Sequence, residues 1–215
     1  MSNYQNYLKE KERVEREIKS YYELITAKPT AWAGHGKFAL TLQYTMKPKI
    51  IVDLGVDYGF STFLFGMLKI GKVYGVDTFD GDEHAGNHPD AEEFVQSVLK
   101  QIRRRFKNNS IEIIKSTFDE AAANWDKGKI NILHIDGLHT YEAVKNDYEK
   151  WLPHMDADGV VLFHDVTSFP DDVGKFFAEL PTDKKYAFEH SAGLGVLALS
   201  DHSWQKIKSL YSVTN

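Results

Sequence analysis

The stretch from Ile130 to Thr167 constrains the fold of this chain more than any other. It reads INILHIDG, LHTYEAVKNDYEKWLPHMDADG and VVLFHDVT: two short apolar runs, each followed by an acid, with a charged segment between them. Ile130 to Ile135 and Val160 to Phe163 are too short for helices and have the nearly continuous apolar character of strands buried on both faces. Between them Tyr141, Val144, Tyr148, Trp151 and Leu152 recur at helical spacing. Strand, helix, strand is a βαβ unit, so both strands end at the same edge of one sheet. As neighbours about 4.8 Å apart, they bring Asp136 and His139 close to His164 and Asp165. Open parallel sheets bind ligands beyond the carboxyl ends of their strands. A single acid there usually caps a helix or loop, but two acids and two histidines at matching strand ends point to a functional site.

The rest of the chain fits the same α/β scheme. Its 215 residues fill one main domain. A net charge of -5 argues against gripping nucleic acid by bulk electrostatics. The one basic run, Arg103, Arg104, Arg105 and Lys107, falls near the end of a predicted helix, where cations complement the helix dipole. The absence of cysteine excludes disulfides, thiolate metal sites and a cysteine nucleophile. No apolar run approaches the roughly 18 residues of a membrane span, and the expectation is a soluble, cytoplasmic protein with no membrane or nucleic-acid partner.

Residues 3 to 26 carry both signs of charge, with Tyr7, Leu8, Val14, Ile18, Tyr22 and Leu24 spaced for one apolar stripe. This amphipathic helix lies outside the sheet and packs on the domain, makes a homodimer contact or covers a pocket. A second helix is expected after Pro29, with Trp32 and His35 at its start lining a pocket or simply packing. Residues 1–48 thus form an N-terminal helical extension, and residues 49–215 the main domain. The first strand, KIIVDL, runs into Gly55-Val56-Asp57-Tyr58-Gly59-Phe60-Ser61 and then an apolar helix, TFLFGMLKI. A glycine turn here lets a ligand approach the backbone. Asp57 stands at the second glycine position of a dinucleotide fingerprint and no Gly-Lys-Ser/Thr follows, so the turn is neither that fingerprint nor a phosphate loop.

The second strand ends at Asp77, placed to accept hydrogen bonds from a ribose diol. Next comes the loop Thr78 to His88, rich in acids and histidines, which binds substrate, binds a metal or is merely polar. A helix from Ala91 to Phe106, a third strand from Ile111 to Ile114 and a short helix after Ser116 and Thr117 follow; those two hydroxyls suit a cap equally well. Beyond the βαβ unit, a helix from Asp171 to Leu180 precedes strands at Lys184 to Phe188 and Leu194 to Leu199. The Ser-Ala-Gly turn between them suggests an antiparallel pair, and a helix from His202 to Tyr211 closes the chain.

Across Ile50 to Leu199 the chain resembles the class I S-adenosylmethionine-dependent methyltransferases, and within them the methyltransferase 24 family related to macrocin O-methyltransferase. The segments that carry the resemblance are VDLGVDYGFST, VYGVDTFDGDEHAG and LHIDGLHTYEAVKNDYEKWLPHMDADGVVLFHDV. It implies a Rossmann-like fold: a seven-stranded, mostly parallel sheet with a C-terminal antiparallel strand and helices on both faces. It implies S-adenosylmethionine as cofactor, with Gly55, Gly59 and Ser61 at its methionine part, Asp77 at the ribose and Ser116 and Thr117 near adenine; Asp53 and Asp136 complete that set. By similarity to metal-dependent O-methyltransferases, Asp136, His164 and Asp165 would hold a divalent cation and His139 would be the base. His164 departs from the acidic residue usual at its position, which favours manganese, iron or zinc over magnesium, or no metal at all. The acceptor would be a small-molecule hydroxyl, a sugar or glycosylated natural product ahead of a phenol, with Asp82 and His84 on its side. A metal-dependent hydrolase and a catalytically silent binding protein are the competing readings.

Overall fold

Helix and strand alternate along the chain, and the computed structural model describes residues 3–81, 83–84 and 86–214. Ahead of the sheet come α1 (Asn3–Ile25), a 3-10 turn (Ala31–His35) and α2 (Gly36–Met46). The sheet builds as β1 (Ile50–Leu54), α3 (Phe60–Gly66), β2 (Lys72–Asp77), α4 (Ala91–Phe106), β3 (Ile111–Lys115), α5 (Phe118–Ala123) and β4 (Ile130–Ile135). It continues with α6 (Tyr141–Trp151), β5 (Met155–His164), a π-helical turn (Pro170–Gly174) into α7 (Lys175–Glu179), β6 (Lys185–Phe188) and β7 (Leu194–Ala198). Helices α8 (Asp201–Ile207) and α9 (Leu210–Thr214) follow.

Seven strands lie in the order β3-β2-β1-β4-β5-β7-β6. β7 is antiparallel to both its neighbours and the remaining pairs are parallel. Alternate strand residues feed two apolar layers. Ile51, Ile132, Val160 and Leu162 pack with α1 to α4. Val52, Leu133, Val161 and Phe163 pack with the helices on the other face, around Val144, Trp151 and Phe176. Burial on both faces explains why these strands read as unbroken apolar runs.

Two expectations about extent are corrected. β5 begins at Met155, five residues before Val160, because Met155 still pairs with Ile130 across an irregularity that absorbs the polar Asp156 and Asp158. The apolar segment after Ser61 is helical only to Gly66, and Lys69 adopts a left-handed backbone. In the N-terminal extension, the last turns of α1 pack on α3 and α4, and the Tyr21 hydroxyl donates to the Phe63 carbonyl at 2.8 Å. The same stripe continues back along α1 as Tyr7, Val14 and Ile18, which are exposed.

Candidate active site

Strand order reverses between β1 and β4, and beyond the carboxyl ends of these strands lies a cavity of about 500 Å³. One wall is the Gly55 to Ser61 turn with Asp77. A second is Thr117 and Phe118. The third is Asp136 to His139 with His164 and Asp165, and the segment from Ile25 to Trp32, together with Phe79, Gly81, Gly86 and His88 of the loop after β2, covers most of the remainder.

The turn after β1 is shaped by close approach. Gly55 has φ 95°, and a Cβ on it would lie 1.9 Å from the Asp136 carbonyl oxygen. Only glycine permits the β1 and β4 ends to meet so tightly. Gly59, at φ 84°, starts α3, and Asp57 is left-handed at φ 46° without being glycine. Asp77 holds the turn: its carboxylate accepts from the amides of Val56 at 2.7 Å, Asp57 at 2.9 Å and Phe79 at 2.7 Å. Oδ2 takes the first two of these bonds and Oδ1 the third, which leaves a lone pair on Oδ1 for a ligand. Ser61 and Thr117 line the cavity, whereas Ser116 is not among its lining residues and turns its hydroxyl to the Thr117 carbonyl. Thr117 also caps α5, accepting from the Glu120 amide at 3.2 Å. Asp53 is fully buried behind the wall and meets the cavity through Ser61, whose hydroxyl donates to it at 2.8 Å.

Pairing of Ile135 with Phe163 sets Asp136 beside His164, as two adjacent parallel strands require. His164 is buried, with Nδ1 3.1 Å from Asp136 Oδ1 and 2.9 Å from Asp165 Oδ2, while Nε2 donates to the Ser191 carbonyl at 3.2 Å. That second bond fixes which nitrogen faces the carboxylates. His139 approaches from the other side: Nε2 lies 3.0 Å from Asp165 Oδ2 and 3.6 Å from Asp136 Oδ1. Neither of its ring nitrogens is aligned for a hydrogen bond. Burial opposes charge on both rings, but the two carboxylates outweigh it, raising His139 to about 9 and His164 to about 10. Conversely, burial disfavours the Asp136 anion while His164 and His139 hold its pKa well below the usual range. Asp165 sits at φ 63°, a left-handed position that costs a non-glycine residue energy and is concentrated at functional sites.

Among the described residues, donor atoms of Asp136, His139 and Asp165 all lie within 4.8 Å of one another. The set expected from sequence had His164 in place of His139; the structure sets both rings against the same carboxylate pair. His84 lies over His139 and Phe169, with ring centroids 5.7 and 5.0 Å away, while Asp82 falls outside the described residues. From sequence, Phe169 and His134 carry no role, and Trp32 either lines a pocket or simply packs. Phe169 stacks on His139 at 4.5 Å, Trp32 lines the cavity, and His134 lies behind it. The Ala-Trp-Ala-Gly-His turn hinted at Trp32; nothing marked Phe169.

Solved structures share this architecture. An O-methyltransferase from Bacillus cereus in complex with SAH matches with a TM-score of 0.62 at 12% identity, covering 86% of this chain and 91% of that one. TomG, an O-methyltransferase from Streptomyces achromogenes involved in tomaymycin synthesis and solved with SAM, gives 0.61 at 12% over 86% and 90%. At such identities the likeness is one of fold, and the fold is that of a class I methyltransferase. Within that class the chain belongs to the methyltransferase 24 family, whose methyltransferase domain matches residues 52–166. A curated relative, the uncharacterized protein y4gI of Sinorhizobium fredii, is 36% identical over 177 residues, 78% of this chain. The chain spans only 19% of that relative's length.

Proposed function

We propose that the protein is an S-adenosylmethionine-dependent O-methyltransferase that modifies a hydroxyl of a small molecule with the help of a divalent cation. The observation that carries this reading is the opening of the Asp136, His139, His164 and Asp165 cluster into the same cavity as the Gly55 to Ser61 turn and Asp77. The cofactor's methionine part would lie along that turn, its ribose at Asp77 and its adenine by Thr117 and Phe118. Methyl transfer is an in-line displacement: the acceptor oxygen bonds to the methyl carbon, the carbon–sulfur bond breaks, and its electron pair stays on sulfur. The hydroxyl proton must leave, and His139, a largely buried ring in the cavity wall with Nε2 3.0 Å from Asp165, is placed to take it.

The residues fit a cation. Two carboxylates and an imidazole whose other nitrogen is anchored on a carbonyl make a donor set suited to a first-row divalent metal, manganese, iron or zinc ahead of magnesium. Asp136, Asp165 and His164 would hold it. Bound there, it would lower the acceptor hydroxyl's pKa and offset the carboxylate charge that otherwise keeps His139 protonated. The polar loop at His84 and His88 supports a sugar or glycosylated acceptor over a phenol. No observation favours the hydrolase or the silent binding protein. A cytoplasmic location belongs to the same proposal; among the described residues no helix is long and apolar enough to cross a membrane.

Calorimetric titration of S-adenosylhomocysteine, with chelator and then with each metal restored, tests the cofactor reading; absence of binding under every condition overturns it. On an acceptor found by screening for S-adenosylhomocysteine release, His139→Ala should lower kcat by about 10²- to 10⁴-fold with cofactor affinity unchanged. An unaltered kcat would remove His139 from the chemistry.

A further inference from the structure

Behind the cavity wall, Trp32, His134, Asp53 and Ser61 form one hydrogen-bonded line through the core. Trp32 Nε1 donates to His134 Nε2 at 2.9 Å, and His134 Nδ1 bonds Asp53 Oδ1 at 2.5 Å. The other Asp53 oxygen accepts from the Ser61 hydroxyl at 2.8 Å and from that of Thr62. An indole N–H only donates, so His134 Nε2 must accept and the proton sits on Nδ1. The direction of every bond is therefore fixed. Trp32, His134 and Asp53 are all at most 2% exposed, so no water can replace a lost partner cheaply.

Both ends of this line reach the cavity. Ser61 spends its only hydrogen on Asp53, so toward the cavity it offers lone pairs and reads donors such as an ammonium. Trp32 spends its N–H on His134, so toward the cavity it offers carbon surface and a π face. The ends also belong to separate parts of the chain: Ser61 to the turn after β1, Trp32 to the 3-10 turn of the N-terminal extension. We propose that His134 is a positioning residue, a two-sided link that makes the wall at Trp32 answer to ligand occupancy of the turn at Ser61. The inference deepens the reading of that turn as the cofactor site and rests on it.

The test reads tryptophan side-chain ¹⁵N–¹H resonances, four in this sequence, with Trp32→Phe assigning that of Trp32. Adding S-adenosylhomocysteine to the native protein should move that resonance. His134→Asn places an amide where Nδ1 was, keeping a donor to Asp53 but losing the acceptor for Trp32. Its dissociation constant for S-adenosylhomocysteine should stay within about threefold of native, while the ligand-induced movement at Trp32 falls by more than half. His134→Gln reverses the cut, accepting from Trp32 but not donating to Asp53, and should weaken binding about tenfold, the worth of one hydrogen bond. A Trp32 resonance that moves as far in His134→Asn as in the native protein overturns the proposal. So do two variants that lower melting temperature equally and leave binding and resonance shifts untouched. If the native protein does not bind S-adenosylhomocysteine, the methyltransferase reading fails separately, and the link is read without ligand. Ser61→Ala must still displace the Trp32 resonance, and a stationary one overturns the link.

Discussion

A methyl group on Gly55 has nowhere to go. Its neighbour at 1.9 Å is a backbone carbonyl, which cannot rotate aside, and the φ of 95° adds strain for any L side chain. Gly55→Ala is expected to cost about 2–4 kcal/mol, seen as a lower urea midpoint at unchanged slope. Native stability would show that the β1 and β4 ends do not meet as described. The two imidazoles facing Asp136 and Asp165 make a second prediction at this scale. With pKa values raised to about 9 and 10, against an unfolded value of about 6.5, the folded protein binds more protons than the unfolded one between those limits. Their stabilisation is therefore full below about pH 6.5 and is lost as pH rises through 9 and 10. In chelator, the melting temperature should fall from pH 7 to pH 10, and His164→Gln should flatten that dependence. A metal-free protein whose melting is as steep with the substitution as without it would exclude His164 as the source.

At the scale of elements, the loop before α4 is tied down by exposed groups. Tyr58 donates to Asp90 at 2.6 Å, Lys28 bonds the same carboxylate at 2.8 Å, and His88 sits 2.6 Å from Asp57. These contacts join α1's exit, the glycine turn and the loop across the mouth of the cavity. Exposed pairs of this kind contribute little to stability because solvent screens them, so Asp90→Asn should leave melting temperature nearly unchanged. It should speed S-adenosylhomocysteine dissociation several-fold in stopped flow; an unchanged rate would mean that the loop does not gate the cavity. The βαβ unit was legible because its strands are buried on both faces and its helix on one, so hydrophobicity alone carries their period. The first half of β5 was not, because Asp156 and Asp158 sit at the sheet's lower rim, where solvent removes the need for apolar side chains. The turn's glycines were visible, but Asp53 as a buried bridge was not, since a carboxylate in a strand looks the same whether it faces ligand or core. The anchor of His164 left no trace at all: a main-chain carbonyl at Ser191 has no side-chain signature.

For the whole molecule, the apolar stripe of α1 is the feature that the single chain leaves half used. Tyr21 and Ile25 are buried, while Tyr7, Val14 and Ile18 on the same stripe stay exposed. A homodimer through this surface is the arrangement we favour, and sedimentation should find twice the chain mass, reverting to one with Ile18→Glu; a native monomer would refute it. The cavity also draws on distant parts of the sequence. Trp32 meets a partner 102 positions away at His134, and His35 meets one 156 positions away at Ser191. During synthesis the segment around Trp32 is therefore out of the ribosome long before the strands that complete its surroundings exist. Its indole waits for β4 to supply His134, and the neighbouring imidazole waits longer, for the carbonyl of Ser191. A nascent chain stalled before β4 carries both glycines of the turn after β1 and still lacks the cavity wall at Asp136 to His139, His164 and Asp165.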